Sequence, residues 1–233
     1  MGRQRLTASE SKTIDACLGQ FQRDEQHYVR FAEGLLEAFA DNTILRRYIH
    51  STRMRVKSVE RLERKLKRVM LKGRRTAGPL VNTQNVHLFV KDYVGIRVLH
   101  IHMEQYREMK GIIDDILANE KIAIMEGPIA HVWDIEYRSF FGDLRVKVEE
   151  RKSMYTSVHY ALKPKKASPV TIELQVRTLS EELWGETSHA LAYEDDQPAE
   201  HILDQLRVLA RLTSGSTRLV DSLVKQHRQA KKQ

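Results

Sequence analysis

One segment of the chain, residues 170–178, alternates strictly between apolar and polar side chains. Its apolar positions are Val170, Ile172, Leu174 and Val176, and its polar positions are Thr171, Glu173, Gln175 and Arg177. A period of two predicts a β-strand with one face in a core. The other face presents a carboxylate, an amide and a guanidinium, which are groups that bind a metal, a base edge and a phosphate. The segment therefore predicts a polar site supported by a packed sheet.

Two further segments also place polar residues at chosen strand positions. In residues 155–162, Tyr155, Ser157 and His159 share one predicted face, while the other face is mainly apolar. In residues 92–99, Asp92 and Gly95 lie at the start of an apolar strand. Three such strands suggest a functional site built on a sheet.

Each of these groupings has a functional and a structural interpretation. If their strands are neighbours, which the sequence does not show, Asp92 and Glu173 would bind Mg²⁺ together with phosphate oxygens. They could equally be two separate ion-paired acids. Tyr155 and His159 could stack on a base and contact a phosphate or hydroxyl, or simply pack in the core.

The net charge of +8 is concentrated in one part of the chain. Residues 51–75 hold eleven lysines and arginines against two glutamates, a local net charge of +9. Arg53, Arg55 and Lys57 precede a predicted helix start at Ser58, and a helix N-terminus favours anions. The segment could be a solvated basic face. Otherwise its partner would be a nucleotide polyphosphate, an RNA backbone or a membrane surface.

Several classes of protein are disfavoured by what the sequence lacks. No apolar run reaches the ~20 residues of a membrane helix, and the N-terminus lacks the apolar segment of a signal peptide. The single cysteine, Cys17, excludes an internal disulfide, so a cytoplasmic location is expected. No Gly-rich phosphate loop of the P-loop or Rossmann type occurs, and no nucleophile elbow supports a serine hydrolase.

Hydrophobic periodicity predicts an α+β fold, with a mixed β-sheet and helices packed on it. Helices are predicted over residues 8–48 (with a break at Asp41-Asn42), 58–71, 104–119, 179–193 and 200–226. Strands are predicted over residues 93–101, 122–125, 134–137, 144–148, 155–163 and 169–177. We divide the chain into an N-terminal helical extension (1–50), a central domain (51–195) and a C-terminal helix with a basic tail (196–233). The near-heptad apolar spacing of the last helix allows a homo-oligomer.

Four motifs occur in a fixed order between about residues 50 and 195. They are Arg-x-Lys-Ser (Arg55, Lys57, Ser58), Asp-x-x-Gly-x-Arg (Asp92, Gly95, Arg97), Tyr-x-Ser-x-His (Tyr155, Ser157, His159) and Glu-x-Gln-x-Arg-Thr (Glu173, Gln175, Arg177, Thr178), the last followed by Trp184 and His189. In this order they resemble the motifs of RelA/SpoT-type alarmone synthetases, in the compact single-domain form.

The resemblance implies a fold similar to polymerase-β-like nucleotidyltransferases. It also implies Mg²⁺-dependent transfer of pyrophosphate from ATP to the 3′-hydroxyl of GDP or GTP, giving ppGpp or pppGpp. By position, Asp92 and Glu173 would bind Mg²⁺, and Glu173 would help to remove the hydroxyl proton. The residues implied in ATP binding are Arg55, Lys57, Lys65 and Arg97. Those implied on the acceptor side are Arg151, Lys152, Tyr155 (stacking on guanine), His159, Gln175 and His189, and Tyr193 could also reach the site.

The chain departs from the family pattern on the acceptor side. Met154 stands where a glycine normally precedes the tyrosine, and Ser188 replaces the acid before His189. These changes leave alternatives open: a toxin of the same fold that modifies the 3′ end of tRNA or adenosine nucleotides, or a non-enzymatic nucleotide sensor. The sequence contains no His-Asp dipeptide, so the hydrolase motif of the family is not expected.

Overall fold

A six-stranded mixed β-sheet forms the centre of the structure, a computed structural model that describes residues 5–165, 168–192 and 199–231. The strands are β1 (Ser51–Val56), β2 (Val94–His100), β3 (Ile122–Val132), β4 (Lys147–Glu150), β5 (Ser157–Pro164) and β6 (Ile172–Thr178). Their order in the sheet is β1-β2-β6-β5-β3-β4. Neighbouring strands are antiparallel except for the pairs β2–β6 and β3–β4, which are parallel.

The helices complete an α+β fold, as the sequence predicts. They are α1 (Ala8–Asp41), α2 (Val59–Arg75), α3 (Val86–Phe89), α4 (Glu104–Asn119), α5 (Ile135–Asp143), α6 (Leu179–Ala192) and α7 (Glu200–Ala230), with a 3₁₀ turn at Leu45–Arg47. Helix α1 packs on β2 and β6, α4 packs on β3, and α6 packs on α7. Burial of the apolar stripe of α1, including Ile14, Phe21 and Tyr28, adds this helix to the core under the sheet.

The central strand β6 has the two faces that its alternation predicts. Ile172, Leu174 and Val176 are fully buried, while Glu173 and Gln175 are half-buried on the opposite face. Arg177 is an exception, because it lies on the polar face but is buried beneath α6. The polar face is therefore open over most of β6 and closed at its C-terminal end.

Three strand predictions are wrong or incomplete. The strand predicted over residues 122–125 continues as β3 to Val132. Residues 134–137 begin helix α5 rather than a strand, since Asp134 is its N-cap and accepts a hydrogen bond from the Glu136 amide. The segment predicted as strand 144–148 begins only at Lys147, after Leu144 has ended α5. Strand β1 has no apolar alternation to reveal it, because it lies at the sheet edge with an exposed centre.

The C-terminal helix α7 presents exposed apolar side chains, including Leu212, Leu219 and Leu223. The structure describes one chain, and the homo-oligomer stays a prediction. None of the helices in the described ranges has the length and apolarity required to cross a membrane.

Candidate active site

A polar pocket of about 420 Å³ lies on the open face of the sheet, where β1, β2 and β6 run side by side. It is lined by Arg55, Lys57, Asp92, Gly95, Arg97, Glu173 and Gln175. Arg55 is paired with Gly95 in the sheet register, and Gly95 with Glu173. An added Cβ on Gly95 would meet nothing nearer than the Glu173 carbonyl oxygen at 4.0 Å. The glycine therefore leaves space over the floor of the pocket.

Asp92 is held by two lysines, one on each carboxylate oxygen. The Lys57 Nζ lies 2.9 Å from Oδ2, and the Lys65 Nζ lies 2.6 Å from Oδ1. Burial alone would raise the pKa of Asp92, but the charges of Lys65 and Lys57 outweigh it and lower the pKa. The Asp92 carboxylate is thus ionised. Lys57 lines the pocket with it, and Lys65 contacts it from α2.

Glu173 is held by its neighbours on the same polar face. The Nδ1 atom of His159 lies 3.0 Å from Oε1, and the Gln175 amide donates to Oε2 over 2.6 Å. Burial would raise the pKa of Glu173, but the hydrogen bond and charge of His159 lead the effects that lower it, against a smaller opposing effect of Asp92. Glu173 is therefore a fixed, ionised carboxylate that shares a pocket with Asp92.

Both carboxylates fit a magnesium ion. Mg²⁺ usually takes one or two carboxylates and completes its shell with phosphate oxygens and waters. In the described part of the chain, no group of three or more His, Cys, Asp or Glu side chains could form an all-protein metal cage. Asp92 and Glu173 could therefore supply the carboxylates of such a magnesium site, but no more of its shell.

Arg97 of the pocket faces two carboxylates of α6, Glu182 and Glu186, that the sequence analysis missed. Arg97 pairs with Glu182 at 2.9 Å and also with Glu186. Glu182 further pairs with Arg177 and lies 3.7 Å from Arg53. The sequence position of Glu182, four residues after Thr178, does not indicate its pairing with Arg97. That pairing depends on how α6 folds back over β2 and β6. These acids partly neutralise the pocket.

A second, more open pocket of about 890 Å³ adjoins the first and shares Arg55, Arg97 and Gln175 with it. Its other lining residues are Ser153, Tyr155, Arg177, Trp184, Gly185, Ser188 and His189. The Tyr155 hydroxyl lies 3.2 Å from Nε2 of His159 and accepts a hydrogen bond from Arg177 over 3.1 Å. An aromatic ring is thus fixed in place and linked through His159 to the Glu173 carboxylate.

Arg151 and Lys152 lie apart from this aromatic pocket. Arg151 contacts the ring of His131 and the carboxylate of Glu149, in a pocket on the other side of Glu173. Lys152 is exposed on the loop that follows β4 and lines neither of these two pockets. Tyr193 falls outside the residues that the structure describes.

Met154 adopts the backbone conformation that favours glycine, with φ = 54°. Such a conformation costs a side-chain-bearing residue roughly 1–2 kcal/mol, while glycine costs about 0.5–1 kcal/mol in unfolded-state entropy. We expect the Met154→Gly variant to be more stable by about 0.5–1 kcal/mol, as measured by urea unfolding. A matched Lys121→Gly variant, at φ = 55°, should shift in the same direction. A loss of stability in both variants would show that the conformation is not strained.

The central part of the chain is similar to a known protein family. A sequence model described as "Region found in RelA / SpoT proteins" matches residues 54–198. No curated protein sequence matches the chain. The matched region contains both candidate carboxylates and the aromatic pocket.

Solved structures of small alarmone synthetase 1 from Bacillus subtilis share the fold. One has a TM-score of 0.64 at 18% identity, covering 90% of this chain and 98% of that one. A second, bound to its product pppGpp, has a TM-score of 0.60 at 17% identity, covering 90% and 99%. A third, bound to AMPCPP, has a TM-score of 0.61 at 17% identity, covering 91% and 99%. At such identity the likeness shows a common fold.

Proposed function

The chain belongs to the family of RelA/SpoT proteins, and from this premise we propose that it transfers pyrophosphate from ATP to the 3′-hydroxyl of GDP or GTP. The observation that carries the proposal is the pocket in which Asp92 and Glu173 share a wall with Arg55, Lys57 and Arg97. Two ionised acids among cations suit the transfer of a highly charged group, because such catalysis consists largely of positioning and charge stabilisation. The relatives bound to pppGpp and AMPCPP support the same choice of nucleotides.

The donor half of the cleft is the pocket around Asp92. Arg55, Lys57, Lys65 and Arg97 would hold the ATP phosphates, and Lys57 and Lys65 are already placed by their contacts with Asp92. Asp92 and Glu173 would hold Mg²⁺, which when bound would neutralise phosphate charge. Binding of ATP must draw Arg97 towards the phosphates in competition with Glu182 and Glu186.

The acceptor half is the adjoining aromatic pocket. The Tyr155 ring would stack on guanine, with the Arg177 guanidinium 5.6 Å from the ring centroid. His159 links Tyr155 to Glu173, so the base-stacking group and the carboxylate are held in one hydrogen-bonded unit. Gln175 fixes the other oxygen of Glu173, and His189 lines the pocket wall.

The proposed reaction follows from this arrangement. The 3′-oxygen attacks the β-phosphorus of ATP, a new O–P bond forms, and the bond from that phosphorus to the oxygen bridging to the α-phosphate breaks. AMP leaves with the bridging oxygen. Glu173, ionised and oriented by His159 and Gln175, receives the hydroxyl proton.

The direct test is nucleotide chromatography of a mixture of the protein, Mg²⁺, ATP and either GDP or GTP. We expect AMP and a guanosine 3′-pyrophosphate in equal amounts. A parallel reaction with labelled ATP and tRNA examines the alternative acceptor. A folded protein that forms no guanosine product, or places the label on tRNA alone, would contradict the proposed acceptor.

The ion pair between Glu186 and Arg97 gives a second test. Glu186 is partly exposed, and such ion pairs are worth about 0.2–1 kcal/mol. We expect Glu186→Gln to bind ATP about threefold more tightly, because Glu182 alone then competes with the phosphates for Arg97. Isothermal titration with ATP and Mg²⁺ measures this change. Glu63→Gln, which removes the acid paired with Lys67, is the matched control, and an equal gain there would indicate a general charge effect.

A further inference from the structure

A pocket of about 710 Å³ lies between the N-terminal end of α4 and the C-terminal part of α7, and we call it the α7 pocket. Its lining includes His102, Glu104, Asp221, Val224, Lys225 and Arg228. It shares no residue with the two pockets of the candidate active site. Small-molecule sites in proteins have volumes of about 300–1,000 Å³, so the α7 pocket has room for a ligand of its own.

His102 lines the α7 pocket with one ring nitrogen left unpaired. Only 5% of this residue is exposed, and its Nδ1 atom lies 2.8 Å from Oδ1 of Asp221. The backbone amide of Glu104 donates to the same oxygen over 3.0 Å, so Asp221 fixes the ring at the start of α4. Nε2 of His102 has no hydrogen-bond partner within the residues that the structure describes. Because buried polar side chains are usually hydrogen-bonded, this nitrogen can bind a polar atom of a ligand.

The charges of the α7 pocket leave two cations without a partner. Asp221 is already engaged by the histidine and by a backbone amide, and the carboxylate of Glu104 accepts from Arg107 over 3.1 Å. By contrast, Lys225 and Arg228 are exposed and have no acidic partner in the described ranges of the chain. They lie three residues apart, on one face of α7. The pocket therefore favours a ligand with two negative charges.

We propose that the α7 pocket binds a small phosphate monoester. Its phosphate group carries a charge of about −1.5 to −2 at neutral pH, which matches two cations, whereas a carboxylate would leave one of them unpaired. The guanidinium of Arg228 can bind two phosphate oxygens at once. Nε2 of His102 donates to a further oxygen when the ring is protonated, and accepts from a phosphate hydroxyl when it is neutral. The half-buried side chain of Val224 offers an apolar wall to the organic part of the ester.

The α7 pocket can be tested by NMR of the whole chain with isotope-labelled histidines, because different histidines report on different sites. His102 reports on the α7 pocket, while His159, which contacts Glu173, and His189 report on the candidate active site. We expect glycerol 3-phosphate to shift the His102 ring signals saturably. Inorganic phosphate should bind several-fold more weakly, since it has no organic part, and acetate should give no saturable shift. The inference does not depend on the proposed pyrophosphate transfer.

A pair of variants of α7 tests the contribution of one cation. Arg228→Gln should weaken the binding of glycerol 3-phosphate, followed at His102, by about tenfold, the usual value of a hydrogen bond to a charged group. Arg211→Gln is the matched control, because Arg211 is also exposed on α7 but does not line this pocket. It makes the same change in net charge and should keep the wild-type affinity.

Four results would overturn the proposal. An equal loss of affinity in both variants would mean that binding depends on net charge alone. Shifts confined to His159 and His189 would place the phosphate in the candidate active site only. An acetate shift at His102 as strong as that of the ester would remove the preference for a dianion. Equal affinity for inorganic phosphate and glycerol 3-phosphate would exclude a site for the organic part of the ester.

Discussion

Replacing Glu173 by glutamine is expected to reduce pyrophosphate transfer by about 10²–10⁴-fold, the usual contribution of a positioned general base. The carboxylate is ionised and is oriented by His159 at 3.0 Å and by Gln175 at 2.6 Å. A glutamine has nearly the same shape, and its carbonyl oxygen can still accept from Gln175. It can neither accept the hydroxyl proton nor supply the negative charge.

The fold should tolerate this change, because Glu173 lies on the open face of β6. The free energy of unfolding is expected to change by less than about 1 kcal/mol, in line with one altered polar contact. Initial rates with labelled ATP and urea unfolding curves measure the two effects. Glu104→Gln, at an exposed position of α4 and paired with Arg107, should retain full activity. A folded Glu173→Gln protein within tenfold of the wild-type rate would exclude Glu173 as the base.

The alternation of apolar and polar residues in β6 made the positions of Glu173 and Gln175 in the site predictable. A strand of period two has only two faces, so burial of Leu174 determines that Glu173 and Gln175 lie together on the other. To predict that Asp92 lies close to Glu173, one must also know that β2 and β6 are neighbours in the sheet. Sequence periodicity does not specify strand order, and the ordered motifs supplied that information through resemblance.

Other parts of the site depend on contacts between distant segments. Strand β1 brings Arg55 to the pocket, but its side chains are mostly exposed, so no hydrophobic pattern marks it. Glu182 and Glu186 reach Arg97 only because α6 turns back across the sheet. Arg151 lies shortly before Tyr155 in the sequence, yet it contacts His131 on β3. In each case the tertiary fold determines the partner, and local sequence does not.

Replacing Leu174 by aspartate, one residue from Glu173, should instead unfold the protein. Leu174 is completely buried in the sheet, beside Ile96 of β2 and Tyr160 of β5. Loss of a buried leucine costs about 2–5 kcal/mol, and an unpaired buried charge adds several more. The total, more than about 5 kcal/mol, approaches the whole stability of a typical domain.

Thermal unfolding followed by circular dichroism, with the yield of soluble protein, checks this result. Leu174→Met preserves volume and should cost less than about 1.5 kcal/mol. Leu219→Asp makes the same chemical change on α7, where the side chain is 61% exposed, and should cost about 0.5 kcal/mol or less. If Leu174→Asp melted cooperatively within a few degrees of the wild type, Leu174 could not face the core, and Glu173 could not face the pocket, because adjacent residues of a strand point to opposite sides.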